Sequence, residues 1–183
     1  DLGPDTVMGN QSPFYFSMSV SDIYGMMRAG GRIKIIPEHL FSFPVKLLEW
    51  IRKKGINTIY WVPSAYGIVT SWNALDYVEL PKLNKILFAG ETMPAGVLKQ
   101  WRSHLPKAIY ANLFGPTETT DICCYYVVDR NFREEESIPI GRPCEGCEIL
   151  IRKEDGEEAL PGEEGELYVK GPFVALGYYR DPE

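Results

Sequence analysis

The chain has 183 residues, of which 45% are hydrophobic and 24% charged, and its formal net charge is −6. This composition is ordinary for a globular protein with a buried core, and the acidic balance argues against non-specific binding to nucleic acid or to an anionic membrane surface. No apolar run approaches the roughly 18 residues needed to span a bilayer. The composition therefore favours a protein without nucleic-acid or membrane partners.

The N-terminus and the cysteines favour a cytoplasmic location. Residues 1–5 have neither the basic start nor the apolar stretch of a signal peptide, and they lack an initiator Met, so we expect a piece excised from a longer protein. The cysteines form two pairs, Cys123-Cys124 and Cys144-x-x-Cys147. Adjacent cysteines suit a tetrahedral zinc site poorly, and four are too few for a disulfide scaffold here. We expect reduced thiols rather than zinc.

Through about residue 115, strand-like and helix-like patterns alternate. Residues 10–20 alternate apolar and small side chains around Phe14 and Phe16, which predicts a short buried strand or extended segment. A helix follows, capped by Ser19 or Ser21 and ended by glycines at 30 and 31. Further strands are predicted at residues 32–36, 58–62, 85–90 and 108–113, with helices opening at residues 42–44, 63–64 and 97. Such alternation predicts a parallel sheet with right-handed crossovers and helices on its faces.

After residue 115 the pattern becomes β-rich. Residues 123–128 are β-like, and residues 148–152 and 166–170 alternate as strands with turn signals between them. No helix pattern occurs from residue 128 onward. We therefore predict an α/β fold, with a parallel sheet flanked by helices in residues 1–127 and a small, mostly antiparallel β subdomain in residues 128–183.

The turn NLFGPTETTD, from Asn112 to Asp121, combines backbone N–H groups, Thr hydroxyls and carboxylates at the end of a buried strand. These groups suit a phosphate together with Mg²⁺, although a Thr-rich surface turn is the simpler alternative. Ligands bind at the carboxyl ends of parallel strands, so the loops after the strands should converge on one crevice. The crevice is expected to be lined by Trp61, Leu87, Ala89, Gly90, Glu91, Leu113, Phe114, Thr117 and Glu118.

Three separated motifs resemble the adenylate-forming superfamily, namely FGPTETT, FAGETMP and GELYVKGPFVALGYYRDPE. The early stretch NQSPFYFSMSVSDIY resembles the D-alanine-activating branch, and peptide-synthetase adenylation domains are also similar. The resemblance implies ATP-dependent activation of a small carboxylate, such as D-alanine, as acyl-AMP. It also implies transfer of the acyl group to the phosphopantetheine thiol of a carrier protein, or to CoA, with ATP and Mg²⁺ as cofactors.

The same resemblance implies roles for individual residues. Phe114 would lie against adenine, Thr117 would bind the α-phosphate, and Glu118 would ligate Mg²⁺, which makes Thr117 and Glu118 the catalytic pair. The implied nucleotide site comprises Gly90, Glu91, Asn112, Leu113, Phe114, Gly115, Pro116 and Thr117. The implied substrate site comprises Ser17, Met18, Trp61, Ala89 and Asp121, with core packing as the alternative role for Met18, Trp61 and Phe114.

Two positions depart from the resemblance. Amino-acid-activating members have aspartate where this chain has Ser17, and D-alanine-activating members tend to have cysteine where it has Ala89. Ser17 cannot pair with a substrate ammonium group, and leaving that charge buried and unpaired would be costly. We therefore hypothesise that Asp121 supplies the charge from the other wall, and that another small carboxylate is the alternative substrate.

The superfamily's phosphate-binding loop, ribose-binding aspartate and lysine-bearing lid have no counterpart in these 183 residues. We therefore expect the isolated chain to fold without catalysing adenylation and to bind ATP weakly. Three alternatives remain open: a piece of an acyl- or aryl-CoA ligase, a non-catalytic flavodoxin-like binding module, and a degenerate relative that scaffolds a partner.

Overall fold

A mixed β-sheet forms the centre of the protein, seen in a computed structural model that describes residues 2–180. Its parallel strands are β1 (Val7–Asn10), β2 (Arg32–Ile35), β3 (Thr58–Trp61), β4 (Lys85–Phe88) and β5 (Ile109–Phe114). Two antiparallel strands, β6 (Cys124–Val127) and β7 (Arg142–Pro143), continue the sheet beside β5. Over the described residues the sheet has seven strands in the order β2-β1-β3-β4-β5-β6-β7.

Helices cover both faces of the sheet. They are α1 (Met18–Ala29), α2 (Pro44–Lys54), α3 (Pro63–Ser71) and α4 (Ala95–His104). Short 3₁₀ turns precede α2 and follow α3. Gly30 and Gly55 adopt left-handed conformations that end α1 and α2. A second, two-stranded antiparallel sheet contains β8 (Glu148–Arg152) and β9 (Glu166–Lys170). The predicted α/β fold with a small antiparallel part is confirmed.

The core divides into two clusters because alternate residues of each strand point to opposite faces of the sheet. The larger cluster joins α2, α3 and α4 to the sheet through buried side chains that include Leu48, Tyr66 and Trp101. The smaller cluster lies under α1 and contains Met8, Met26, Tyr60 and Ala89. A residue's position within its strand therefore decides which cluster it joins, and this matters for the site below.

The prediction for residues 10–20 is wrong in its details. The buried strand β1 ends at Asn10, and the next seven residues form a loop in which the Phe14 and Phe16 side chains are more than half exposed. Helix α1 starts at Met18, after Ser17 rather than after Ser19 or Ser21, and no side chain caps its first turn. The apolar alternation in this segment therefore does not reflect burial.

The predicted division at residue 127 stays a prediction. Strand β7 follows that point yet pairs with β6, and Val128, Phe132 and Ile138 belong to the larger core cluster. The β8–β9 hairpin forms a separate sheet. Residue 1 and residues 181–183, which the division includes, lie outside the described residues. Within the described residues, no helix has the length and apolarity to cross a membrane.

Candidate active site

The loops that follow β3, β4 and β5 meet at one edge of the sheet. These strands are adjacent and parallel, with Tyr60 opposite Leu87 and Leu87 opposite Ala111. Their carboxyl ends consequently face the same side, which is where ligands bind in sheets of this kind. The three strands are thus adjacent, which is the condition for their exit loops to converge, and the crevice expected there stays a prediction.

The turn after β5 is tightly packed against its own continuation. A side chain at Gly115 would place a Cβ atom 2.8 Å from the backbone nitrogen of Cys123, which is too close for any other residue. The Cys123 N–H donates to the Phe114 carbonyl at 2.8 Å, and a 3₁₀ turn spans Thr117–Thr119. Thr120 and Asp121 then take left-handed conformations, with φ of 55° and 85°. The chain reverses direction here, so the turn carries Thr117 and Glu118 at its outer side.

A cleft of about 680 Å³ lies between this turn, the β4 exit loop and the β8–β9 hairpin. The Phe114 side chain borders it and is 37% exposed. Seven of the residues predicted for nucleotide binding line this cleft, and they are Gly90, Glu91, Asn112, Leu113, Phe114, Gly115 and Pro116. Leu167 and Val169 of β9 form part of the opposite wall.

Two polar residues of the cleft, Asn112 and Glu91, have side chains that hydrogen-bond to other parts of the protein. The Asn112 Nδ2 atom donates to the Pro139 carbonyl at 2.9 Å, which leaves its Oδ1 atom as the acceptor toward a ligand. The Glu91 carboxylate accepts from the backbone N–H and the hydroxyl of Ser64, at 2.8 and 3.1 Å. Because Ser64 lies in the first turn of α3, Glu91 stabilises the start of that helix. Glu91 can therefore border a ligand through its backbone.

Thr117 and Glu118 are exposed to solvent and follow Pro116 in the turn, but they are not among the residues that line the cleft. The hydroxyls of Thr117 and Ser17 are 3.3 Å apart, so the end of the β1–α1 loop touches the turn. Glu118 accepts a hydrogen bond from the Tyr178 hydroxyl at 2.8 Å. The pKa of Glu118 is lowered by its own backbone N–H and, secondarily, by Tyr178. Glu118 is therefore ionised at neutral pH.

Asp121 is buried behind the turn, where it is 3% exposed. It accepts from the Tyr60 hydroxyl at 3.2 Å and from the Ser21 hydroxyl. Burial raises the pKa of Asp121, and the two hydrogen bonds act in the opposite direction. No Lys, Arg or His among residues 2–180 forms an ion pair with it. The carboxylate is thus held by neutral donors alone.

The predicted substrate residues divide between the two faces of the sheet. Ala89 and Met18 lie with Tyr60 in the cluster under α1, on the same side as Asp121. Trp61 is fully buried on the opposite face, where its ring packs against Phe41 and Tyr66. Its Nε1 atom donates to the Gly9 carbonyl at 3.0 Å. The structure therefore makes Trp61 a core residue, because it is one position out of phase with Tyr60 in β3.

Two residues of the Asp121 network, Tyr60 and Ser21, were not predicted from the sequence. Ser21 lies four positions after Ser17, a spacing that places two residues on one face of a helix. Tyr60 and Trp61 are adjacent in β3, so the period of two places them on opposite faces of the sheet. Both signals were present, but they require the orientation of α1 and β3 to be known first.

A second carboxyl, Asp22, is fully buried beside this network. Its Oδ2 atom accepts from Asn10 Nδ2 at 2.6 Å, whereas its Oδ1 atom has no hydrogen-bond partner within residues 2–180. Burial raises the pKa of Asp22 to about 7, and the Asp121 charge adds to the rise. Asp22 is therefore largely neutral below pH 7.

Comparison with known proteins identifies the family. The AMP-binding enzyme family matches residues 1–179. The chain is 34% identical to a D-alanine–D-alanyl carrier protein ligase of Bacillus cytotoxicus over 100% of its length, and 36% identical to an L-proline–[L-prolyl-carrier protein] ligase of Pseudomonas fluorescens over 98%. In each case it spans 36% of the relative's length.

A solved relative has the same architecture. The Vibrio cholerae adenylation domain AlmE, in complex with glycyl-adenosine-5'-phosphate, superposes with a TM-score of 0.85 at 28% identity. The match covers 99% of this chain and 34% of AlmE. The resemblance drawn from the three motifs is thereby confirmed, and the chain belongs to the AMP-binding enzyme family of adenylate-forming ligases.

Proposed function

We propose that this site binds ATP with Mg²⁺, activates a small amino acid as its acyl-adenylate and passes the acyl group to a carrier-protein thiol. The observation that carries the proposal is the neighbouring position of two features. One is the cleft bordered by Phe114, and the other is Asp121, a buried carboxylate that lacks a cationic partner among the described residues. A nucleotide suits the first feature and a substrate ammonium suits the second.

The cleft has the groups that a nucleotide base requires. The exposed ring of Phe114 offers an apolar face for adenine, and the Asn112 Oδ1 atom can accept from the adenine amino group. Gly90 adopts φ of +87°, so its backbone approaches the cleft without a side chain. These contacts support the predicted nucleotide site.

The exposed side chains of Thr117 and Glu118, which follow the cleft-lining Pro116, suit the phosphates and their metal. Within the described residues no group of three or more His, Cys, Asp or Glu could hold a metal alone, so a cation would also need ligand oxygens. The ionised, solvent-exposed Glu118 carboxylate is the hard oxygen ligand that Mg²⁺ prefers. When bound there, Mg²⁺ would offset negative charge on the phosphates. The Thr117 hydroxyl can donate to the α-phosphate.

The buried carboxylate suits an amino acid. An ammonium group beside Asp121 would complete a buried ion pair, and Tyr60 and Ser21 hold the carboxylate in place for it. The relatives are named for D-alanine and L-proline, and AlmE was solved with a glycyl adenylate. All three names refer to a small amino acid. D-alanine is accordingly our first candidate.

The chemistry then follows in two steps. A carboxylate oxygen of the amino acid attacks the α-phosphorus of ATP, a new C–O–P linkage forms, and the bond to the β-phosphate breaks to release pyrophosphate. A phosphopantetheine thiol next attacks the acyl carbonyl and AMP leaves. The carrier-protein ligases among the relatives favour a carrier protein over CoA as the acceptor.

We propose further that the protein acts in the cytoplasm, because ATP and reduced thiols are available there and all four cysteines are free. We also propose that residues 1–127 form the α/β unit and that residues 128–183 form the β-rich unit.

ATP–pyrophosphate exchange by the full natural chain, with a panel of carboxylates, tests the proposal. We expect exchange with D-alanine or another small amino acid. Asp121→Asn should raise the KM for that amino acid by about 100-fold, because it removes one partner of a buried charge pair. Ser17→Ala, the matched control, should change KM by less than about threefold, since Ser17 offers no charge. Exchange with fatty or aryl acids alone, unaffected by Asp121→Asn, would instead support the CoA-ligase alternative.

A further inference from the structure

The segment Phe173–Tyr178, which we call the strap, crosses the turn that carries Glu118. It follows β9 and makes hydrogen bonds to the turn from three separate residues. The Ala175 N–H donates to the Glu118 carbonyl at 2.7 Å, and the Thr120 hydroxyl donates to the Phe173 carbonyl at 2.7 Å. The strap therefore contacts the turn at the Glu118 backbone and at the Thr120 side chain.

The third contact reaches the Glu118 side chain itself. The Tyr178 hydroxyl donates to Oε1 of Glu118 at 2.8 Å. The structure records no side-chain hydrogen bond to the second oxygen, Oε2, from residues 2–180. A solvent-exposed glutamate normally samples many rotamers, and a charge-assisted hydrogen bond from a phenol restricts that sampling.

Burial does not account for the position of Tyr178. Its side chain is 61% exposed, so little of the ring is removed from water. The adjacent Tyr179 is 88% exposed, its ring lies beside the Arg180 guanidinium, and its hydroxyl forms no hydrogen bond with the part of the chain that the structure describes. Of these two exposed tyrosines, it is Tyr178 whose hydroxyl contacts Glu118.

We propose that Tyr178 is a positioning residue, which fixes Oε1 of Glu118 so that Oε2 faces the divalent cation accompanying ATP. The inference rests on the proposed function, since it takes Glu118 as the metal ligand. The strap also connects Glu118 to β9, whose Leu167 and Val169 line the cleft. The wall of the cleft and the metal ligand are therefore set by one continuous piece of chain.

Binding of Mn²⁺, used as a paramagnetic stand-in for Mg²⁺, tests the proposal without turnover. The full natural chain is saturated with α,β-methylene-ATP and titrated with Mn²⁺, and free Mn²⁺ is measured by electron paramagnetic resonance. Tyr178→Phe should weaken Mn²⁺ binding about fivefold, because one hydrogen bond to a charged, solvent-exposed group is lost. Tyr179→Phe, the matched control, should leave the dissociation constant unchanged.

Two further variants separate the role of Glu118 as metal ligand from the role of Tyr178 in positioning it. Glu118→Gln should weaken Mn²⁺ binding more than Tyr178→Phe does, and adding Tyr178→Phe to it should cause no further change. Normal Mn²⁺ binding by Tyr178→Phe, together with weak binding by Glu118→Gln, would overturn the role of Tyr178 and leave the proposed function intact. Normal binding by Glu118→Gln would instead remove Glu118 as the metal ligand. Equal losses in both tyrosine variants would also overturn the proposal.

Discussion

Replacement of Asp22 by Asn should stabilise the protein at neutral pH. Asp22 is fully buried, and its pKa rises from 3.8 to about 7 because burial disfavours its charge. When burial raises the folded-state pKa of a carboxyl, the protein loses stability as the pH rises from the unfolded pKa to the folded pKa. Over that range the folded state binds more protons than the unfolded state does. The destabilising effect therefore grows between pH 4 and pH 7 and is complete above pH 7.

The size of the effect follows from the two pKa values. A rise of about three units corresponds to about 4 kcal/mol at pH 7.5 and only about 1 kcal/mol at pH 4.5. Rearrangement around the ionised carboxyl relieves part of that cost, so we expect Asp22→Asn to gain about 2 to 4 kcal/mol at pH 7.5. The asparagine can still accept from Asn10, and it leaves one polar atom unpartnered, as Asp22 does now.

Urea unfolding at pH 4.5 and at pH 7.5 measures this difference, with the exposed Asp5→Asn as the matched control. Asp5→Asn should alter the free energy of unfolding by less than about 0.5 kcal/mol at either pH. A gain from Asp22→Asn that is equal at the two pH values would refute the reasoning, and so would a loss at pH 7.5. An equal gain would mean that the pKa of Asp22 is not shifted by folding, and a loss at pH 7.5 would mean that a donor stabilises the ionised carboxylate.

Three further changes test other parts of the structure. Gly115→Ala should lower the free energy of unfolding, measured with urea, by about 2 kcal/mol, because its Cβ would lie 2.8 Å from a backbone nitrogen across the turn. Gly96→Ala in α4 has open space around the new Cβ and should be neutral or stabilising. Similar effects of the two substitutions would contradict the packing described. His104→Ala should lower the free energy of unfolding by about 0.5 kcal/mol at pH 5.5 and leave it unchanged at pH 8.5. A backbone carbonyl and then Asp76 raise the pKa of His104 above 6.5, so the protonated ring stabilises the folded state at low pH, and this stabilisation is lost as the pH rises through the raised pKa. Tyr60→Phe should raise the amino-acid KM in pyrophosphate exchange about fivefold with kcat unchanged, because one donor to the buried carboxylate is lost; a fall in kcat alone would argue against a role in binding.

Much of the fold could be predicted because its signals are local. The glycines after α1 and α2, the prolines at residues 44 and 63 and the apolar runs of β3, β4 and β5 each mark an element boundary without reference to the rest of the chain. The segment around Phe14 and Phe16 failed for the converse reason. Its alternation has the period of a strand, but exposed aromatic side chains give the same pattern in a loop.

The site was harder to predict because it depends on orientation. Phe114 ends β5 and Glu118 lies in the turn that follows, so both had to lie at the carboxyl edge of the sheet. Trp61 and Tyr60 are neighbours in sequence, yet only the register of β3 decides which of them reaches Asp121. The contact between Glu118 and Tyr178 joins residues 60 positions apart, and no local pattern could indicate it.

The hydrogen bonds between the start of α1 and the turn after β5 have a consequence for folding. Ser17 meets Thr117 and Ser21 meets Asp121 across separations of 100 residues in each case. Closing loops of that length is entropically unfavourable until the intervening strands have paired. The individual helices can form early, but the four polar groups come together only when β1 and β5 occupy one sheet. Formation of the Ser21–Asp121 contact should therefore be among the last events in folding, and its appearance would report that the sheet is complete.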